Sequence, residues 1–182
     1  MYEVEVKVRT PHAPVRERLA ALDAASVGRV EQVDTYYDAP HRDFAETDEA
    51  LRLRRETDLD ADATTTRITY KGPLVDAQSK TRHEAETAVE DGAAIAAVLD
   101  GLGFQPAATV EKERDRYRLD GYTVTLDAVA DLGEFVEVER EAADEDVDEA
   151  REGAFAVLRS LGLDPAAQIR TSYLGLLLDN RQ

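Results

Sequence analysis

The chain has 182 residues, with 39 Asp and Glu against 22 Lys and Arg, a formal net charge of -17, no cysteine and 43% hydrophobic residues. That length suits a single domain spanning 1–182 with a real core, and the missing cysteines exclude disulfide frameworks, thiol nucleophiles and zinc-thiolate sites. So acidic a surface repels polyanions, which speaks against nucleic acid and anionic membranes as partners. No apolar run is long enough for a membrane span and the N-terminus opens on Glu3 and Glu5, so a cytoplasmic protein is expected.

The first strand is expected where Val4, Val6 and Val8 alternate with Glu3, Glu5 and Lys7. A helix follows over 14–25, and strands over 30–37, 50–56 and 67–71 show the same period of two. Residues 57–66 read as an acidic, Thr-rich hairpin tip or loop, and 72–79 as a second loop. The next strand covers 81–88, and a helix covers 93–102, ending at Gly101 to Gly103. Strands over 109–118, 122–128 and 134–140 complete a set of eight, joined by turns such as Asp120-Gly121 and Asp131-Leu132-Gly133. In the helix over 146–161, Val147, Ala150, Ala154, Leu158 and Leu161 share a face; a last helix is expected over 170–179. The fold class is α+β: eight mostly antiparallel strands closing into a barrel, with helices packed outside.

Only four lysines stand against eighteen arginines, a balance that resembles proteins of halophilic, salt-rich cytoplasm. The scarce cations nevertheless gather on the strands, as Lys7, Arg52, Arg54, Arg67, Lys71, Arg82, Lys112, Arg114 and Arg116. Taken singly, Glu3-x-Glu5-x-Lys7 is also what an exposed edge strand shows. Taken together, the strands mix acid and base on one face in a chain whose helices carry acids. That pattern points to a barrel turned inside out, with charges lining the lumen and Val, Leu, Ile and Tyr packed outward. Buried cations need counter-charge, and Glu3, Glu5, Glu84, Glu86, Asp127, Glu137 and Glu139 supply it at period-two spacing. Carboxylates so crowded favour a hard divalent cation, Mg²⁺ or Mn²⁺, and cations on the opposite wall suit a polyphosphate.

Glu3-Val4-Glu5-Val6-Lys7 resembles the ExExK signature of the CYTH superfamily, the triphosphate tunnel metalloenzymes. Asp34-Thr35-Tyr36-Tyr37-Asp38, Ala50 to Arg54, Lys71-Gly72-Pro73, Arg82 to Glu86, Glu111 to Arg114 and Leu126-Asp127 to Glu139 follow in that family's order, nearest its class IV adenylyl cyclase-like branch. The resemblance implies an eight-stranded tunnel that binds a small-molecule triphosphate with Mg²⁺ or Mn²⁺. By it, Glu3, Glu5, Asp127, Glu137 and Glu139 are metal-side carboxylates, while Arg52, Arg54, Lys71, Arg82, Lys112 and Arg114 hold phosphates. Lys7, Lys112 and Glu5 are the candidate catalytic residues, the lysines orienting water or stabilising departing pyrophosphate and the carboxylate holding water. Either ATP is cyclised, with release of pyrophosphate, or a triphosphate such as tripolyphosphate is hydrolysed. A sensor that binds nucleotide or polyphosphate without turnover is the alternative. Ser172-Tyr173 resembles the Ser-Tyr element of the family's C-terminal helix, with Gly175 in place of a frequent acid; gate and packing both stay open for that helix. His12, His41 and His83 carry no metal-ligand spacing and read as surface or packing residues. The sequence sets no oligomeric state, a homodimer being among those it permits.

Overall fold

A computed structural model describes residues 1–180. Eight strands form one closed antiparallel barrel: β1 (Tyr2–Arg9), β2 (Ala25–Asp38), β3 (Ala50–Asp58), β4 (Ala63–Leu74), β5 (Lys80–Val89), β6 (Gln105–Leu119), β7 (Tyr122–Val129) and β8 (Gly133–Ala142). Their order around the barrel is β1-β5-β4-β3-β2-β6-β7-β8, and β8 pairs back onto β1. Five helices, α1 (His12–Ala21), α2 (Phe44–Thr47), α3 (Gly92–Gly101), α4 (Val147–Ser160) and α5 (Tyr173–Asp179), together with short 3₁₀ turns, complete the described fold. None of the described helices is long and apolar enough to cross a membrane.

The period of two decides which side chains enter the barrel, because successive residues of a strand point to opposite faces. On β1 the even residues Val4, Val6 and Val8 face outward and are fully covered. Val6 and Val8 pack with Val124 and Leu126 of β7, Val136 and Val138 of β8, Val15 and Leu19 of α1, and Ala154 and Leu158 of α4. The helical spacing expected on α4 is what lets it cover this face: Ala150, Ala154, Leu158 and Leu161 are all buried. A second cap forms where Leu99 of α3 meets Tyr37 of β2 and Leu53 of β3. Each fully buried Val or Leu contributes roughly 1.5–3 kcal/mol, so the apolar stabilisation sits outside the barrel wall.

Several boundaries differ from the sequence expectation. The stretch 57–66 is mostly strand, because the β-branched Thr64, Thr65 and Thr66 pair with Thr57, Glu56 and Arg55 and confine the turn to the residues between β3 and β4. The first helix stops at Ala21 and β2 begins at Ala25, with a bulge between Ser26 and Gly28 where Gly28 adopts φ +129°. The loop after Lys71 is shorter than expected, as β4 runs to Leu74 and β5 opens at Lys80. Asp120 and Gly121 both take positive φ, 52° and 82°, the conformation of a tight hairpin turn.

Candidate active site inside the barrel

Glu3 and Glu5 of β1 and the matching residues of the other strands line a cavity of about 880 Å³. Its charges are sorted by strand pairing. Arg54 of β3 makes two parallel bonds to Asp34 of β2, Nε to Oδ1 at 2.7 Å and Nη2 to Oδ2 at 2.8 Å. Arg114 of β6 does the same to Asp127 of β7, both bonds at 2.6 Å, and also donates to Glu137 at 2.7 Å. In both arginines these bonds use Nε and Nη2, so the Nη1 edge is turned to neither carboxylate and suits a phosphate oxygen.

These pairs are tightly held. Burial pushes the Asp34 carboxyl up, but the Arg54 hydrogen bonds and charge, with Arg52 and Lys112 behind, outweigh it and hold the group below the usual carboxylate range. Burial likewise opposes ionisation of Glu137, and Arg114, Lys112 and Lys7 outweigh it, so that carboxyl lies well below its ordinary value. Arg52 donates to Thr69 Oγ1 at 3.1 Å and to Glu86 at 3.4 Å, while Arg116 and Gln32 both donate to Glu56.

Lys7 and Lys112 stand apart from this pairing. Lys7 is fully buried, and its Nζ has no hydrogen-bond partner among the described residues. It lies 4.2 Å from the centre of the Tyr173 ring, and Lys112 Nζ lies 4.8 Å from the same ring, both within cation–π range. The Lys112 ammonium has Asp127 at 3.8 Å. Burial, followed by the neighbouring Lys80 charge, lowers Lys7 to about 8; burial and then Arg114 lower Lys112 to about 7. Two buried lysines side by side, one of them without a hydrogen-bond partner among the described residues, suit an anionic ligand.

A matching excess of negative charge lies on β1 and β8. Glu5 and Glu139 are paired across the strands, and carboxylate oxygens of Glu3, Glu5 and Glu139 lie within 4.8 Å of one another. Burial first, and then the Glu3 charge, push the Glu139 carboxyl up to about 8. Burial also raises Glu3, against the Lys71 charge. Lys71 pairs with Glu84 and lies 3.6 Å from Glu3, while Lys80 donates to Glu5 at 3.1 Å. Three carboxylates whose oxygens converge in this way fit a hard divalent ion such as Mg²⁺ or Mn²⁺.

The structure places Glu3, Glu5, Arg52, Arg54, Lys71, Arg82, Lys112, Arg114, Glu137 and Glu139 on the cavity wall, with Lys7 and Asp127 fully buried behind it, and divides the five expected metal-side carboxylates. Glu3, Glu5 and Glu139 converge, whereas Asp127 and Glu137 are bonded to Arg114. Arg82 is held by the Gly72 carbonyl at 2.9 Å and has Asp48 at 3.5 Å, toward one mouth. Lys80 and Asp34 were not singled out from sequence. Lys80 shares the face of Arg82 two residues on, a signal hidden because it falls between the loop expected over 72–79 and the strand expected over 81–88, whereas β5 opens at Lys80 itself.

The terminal helix turns out to pack. Ser172 caps α5 through a bond from the Gly175 backbone N–H, and Tyr173 and Leu177 on one face bury against Val110, Val129 and Phe135 at one barrel end. The Tyr173 hydroxyl donates to Asp127 at 2.8 Å. His12 is buried, with Nε2 2.9 Å from the Phe135 carbonyl oxygen and Nδ1 2.9 Å from Glu134, a packing role.

Comparison with known proteins agrees with this geometry. The CYTH domain model matches residues 1–173. A Methanocaldococcus jannaschii protein carrying the name "Putative adenylate cyclase" is 36% identical over 178 residues, covering 97% of this chain and 98% of that protein. A solved Pyrococcus horikoshii structure is 37% identical with a TM-score of 0.90, covering 98% of this chain and 99% of the other. A Hippeastrum protein described as a "putative adenylyl cyclase" with a dominant triphosphatase activity has the same fold, at a TM-score of 0.65 and 18% identity over 98% of this chain and 95% of its own. A sequence match spanning nearly the whole chain, on a closed barrel with a charged lumen, means that this chain belongs to the CYTH domain family.

Proposed function

We propose that the barrel binds a triphosphate together with Mg²⁺ or Mn²⁺ and catalyses attack at one of its phosphorus atoms, either cyclising a nucleoside triphosphate or hydrolysing the chain. The observation that carries this reading is the pair Lys7 and Lys112, buried in a closed lumen with the Lys7 ammonium lacking any hydrogen-bond partner among the described residues, across from the convergent carboxylates of Glu3, Glu5 and Glu139. The names carried by the Methanocaldococcus and Hippeastrum proteins, cyclase and triphosphatase, describe these two outcomes of one chemistry.

Transfer at phosphorus asks a protein chiefly for positioning and for stabilisation of charge on the phosphate oxygens. Arg54 and Arg114, each braced by its carboxylate, present the Nη1 edge to those oxygens. Lys112, lowered to about 7 by burial and then Arg114, holds its proton more firmly beside a polyanion and sets that charge against a phosphate or departing pyrophosphate. Lys7 does the same from the floor. Glu5 lies where it can orient an attacking hydroxyl or water. Glu3, Glu5 and Glu139 would hold the divalent ion, which when bound neutralises phosphate charge.

Turnover of ATP, tripolyphosphate and thiamine triphosphate with Mg²⁺ or Mn²⁺ in high salt tests the reading. At least one should be consumed, only with the divalent ion present, and Glu5→Gln should abolish it. Tight binding of an unchanged ligand would favour a sensor, and no binding at all would end the proposal.

A further inference from the structure

The barrel wall is not joined by strand pairing throughout. β1 pairs with β8 at eight positions, Tyr2 to Arg9, but with β5 at only four, Tyr2 to Glu5, because β5 begins at Lys80. Beyond Glu5 the edge of β1 meets a segment that is not a strand: the Ile169 N–H donates to the Lys7 carbonyl at 2.7 Å. The next residue reaches across the gap. Arg170 donates to two carbonyls of the loop over 75–79, Nη2 to Asp76 at 2.5 Å and Nε to Ser79 at 3.2 Å. Gln168 Nε2 donates to the Gln78 carbonyl at 2.7 Å. Residues 168–170 thus clasp β1 to the lead-in of β5 where no ladder joins them.

What the clasp holds in place is Lys80. Ser79 is fully buried and donates to Asp76 Oδ2 at 2.6 Å, an oxygen that Arg151 of α4 meets at 3.2 Å. The following side chain enters the cavity, and Lys80 Nζ donates to Glu5 Oε1 at 3.1 Å. Lys80 and Glu5 are also the last pair of the β1–β5 ladder, and a terminal pair frays unless the chain beyond it is fixed. Arg170 fixes that chain at both ends of the loop. Glu5 is one of the three convergent carboxylates, so the Lys80 ammonium occupies a group that a divalent ion would share.

Building on the reading of a triphosphate bound with a divalent ion, we infer that Arg170 is a positioning residue for the metal site: by fixing the 75–79 loop from outside the cavity it holds Lys80 on Glu5 and so restrains the grip of Glu3, Glu5 and Glu139 on the ion. Arg170 acts only through Lys80.

Calorimetry with Mn²⁺ alone, on the unmodified protein and on Lys80→Met, Arg170→Ala and the double variant, tests this. Lys80→Met should tighten Mn²⁺ by about threefold or more, because the competing ammonium is gone. Arg170→Ala should tighten it in the same sense, and the double variant no further than Lys80→Met alone. A clasp that serves stability only would lower the melting temperature of Arg170→Ala and leave its Mn²⁺ affinity unchanged. That result, effects that add in the double variant, or no gain in Lys80→Met would each overturn the inference while the triphosphate reading stands. Should Arg170→Ala not fold, Arg170→Gln, too short to reach both carbonyls, is read in its place. Absence of Mn²⁺ binding in the unmodified protein and in Lys80→Met alike would overturn this inference together with the metal site it rests on.

Discussion

Strand β1 presents two faces, Val4, Val6 and Val8 outward and Glu3, Glu5 and Lys7 inward, and Glu5 and Lys7 are buried as fully as the valines, for opposite ends. The outer face meets α4 and α1 and contributes stability. The inner face holds charge away from water at a cost and contributes binding. Burial alone therefore says nothing about what a residue is for; the chemistry of its neighbours does.

Three experiments would break or sharpen that contrast. The largest effect is expected where a buried pair loses one partner. Asp34→Ala strands the Arg54 guanidinium and should cost about 3–5 kcal/mol in urea unfolding, with ligand capture lost as well. On the outer face, Leu158→Ala should cost about 2–5 kcal/mol by leaving a cavity under α4, yet the folded fraction should bind tripolyphosphate normally. A change of similar size in binding would mean the faces are not separable. The inner lysines should behave in the reverse sense: Lys112→Met replaces a buried, poorly countered ammonium by an apolar chain of similar length. It should raise the melting temperature of the empty protein at pH 6, by the equivalent of about 1–2 kcal/mol, while weakening polyphosphate binding at least tenfold.

A smaller effect appears in the pH dependence of the empty protein. Glu139 keeps its proton to about 8 when folded against an ordinary 4.5, so between these values the folded state binds more protons and stability falls as pH rises. Lys112 and Lys7 release theirs at about 7 and about 8 against an ordinary 10.5, so above those values the unfolded state binds more protons and stability rises toward pH 10.5. The lumen thus adds a trough near pH 7–8 to the stability profile. Chemical denaturation across pH 5–10 should show it, with Glu139→Gln flattening the acid limb and Lys112→Met the alkaline limb. A profile unaltered by either substitution would remove these groups from the folding equilibrium.

Much of this was legible because alternation is a local property. The period of two in Glu3 to Val8 or Arg52 to Arg54 names the inward residues without any knowledge of the fold, and the α4 spacing names its buried face. The four-residue α2 was not legible, having no periodicity to show, nor was the strand character of the acidic, Thr-rich stretch, where polar residues pair across an exposed hairpin. The separation of the acids was the least visible. Nothing local distinguishes Glu139 from Glu137 on the same face of β8, yet one meets Glu3 and Glu5 and the other meets Arg114.

The sequence by itself determined that scarce cations and chosen acids share the inner face of a closed sheet, since side-chain direction along a strand is set by the backbone. Only the tertiary structure decided which charges cancel. Closure places β1 between β5 and β8 and β6 beside β7, and charge pairing falls off so steeply with distance that these neighbours settle it. Arg54 and Arg114 find carboxylates in two-bond pairs, while Lys7 has no hydrogen-bond partner among the described residues and Glu3, Glu5 and Glu139 crowd together.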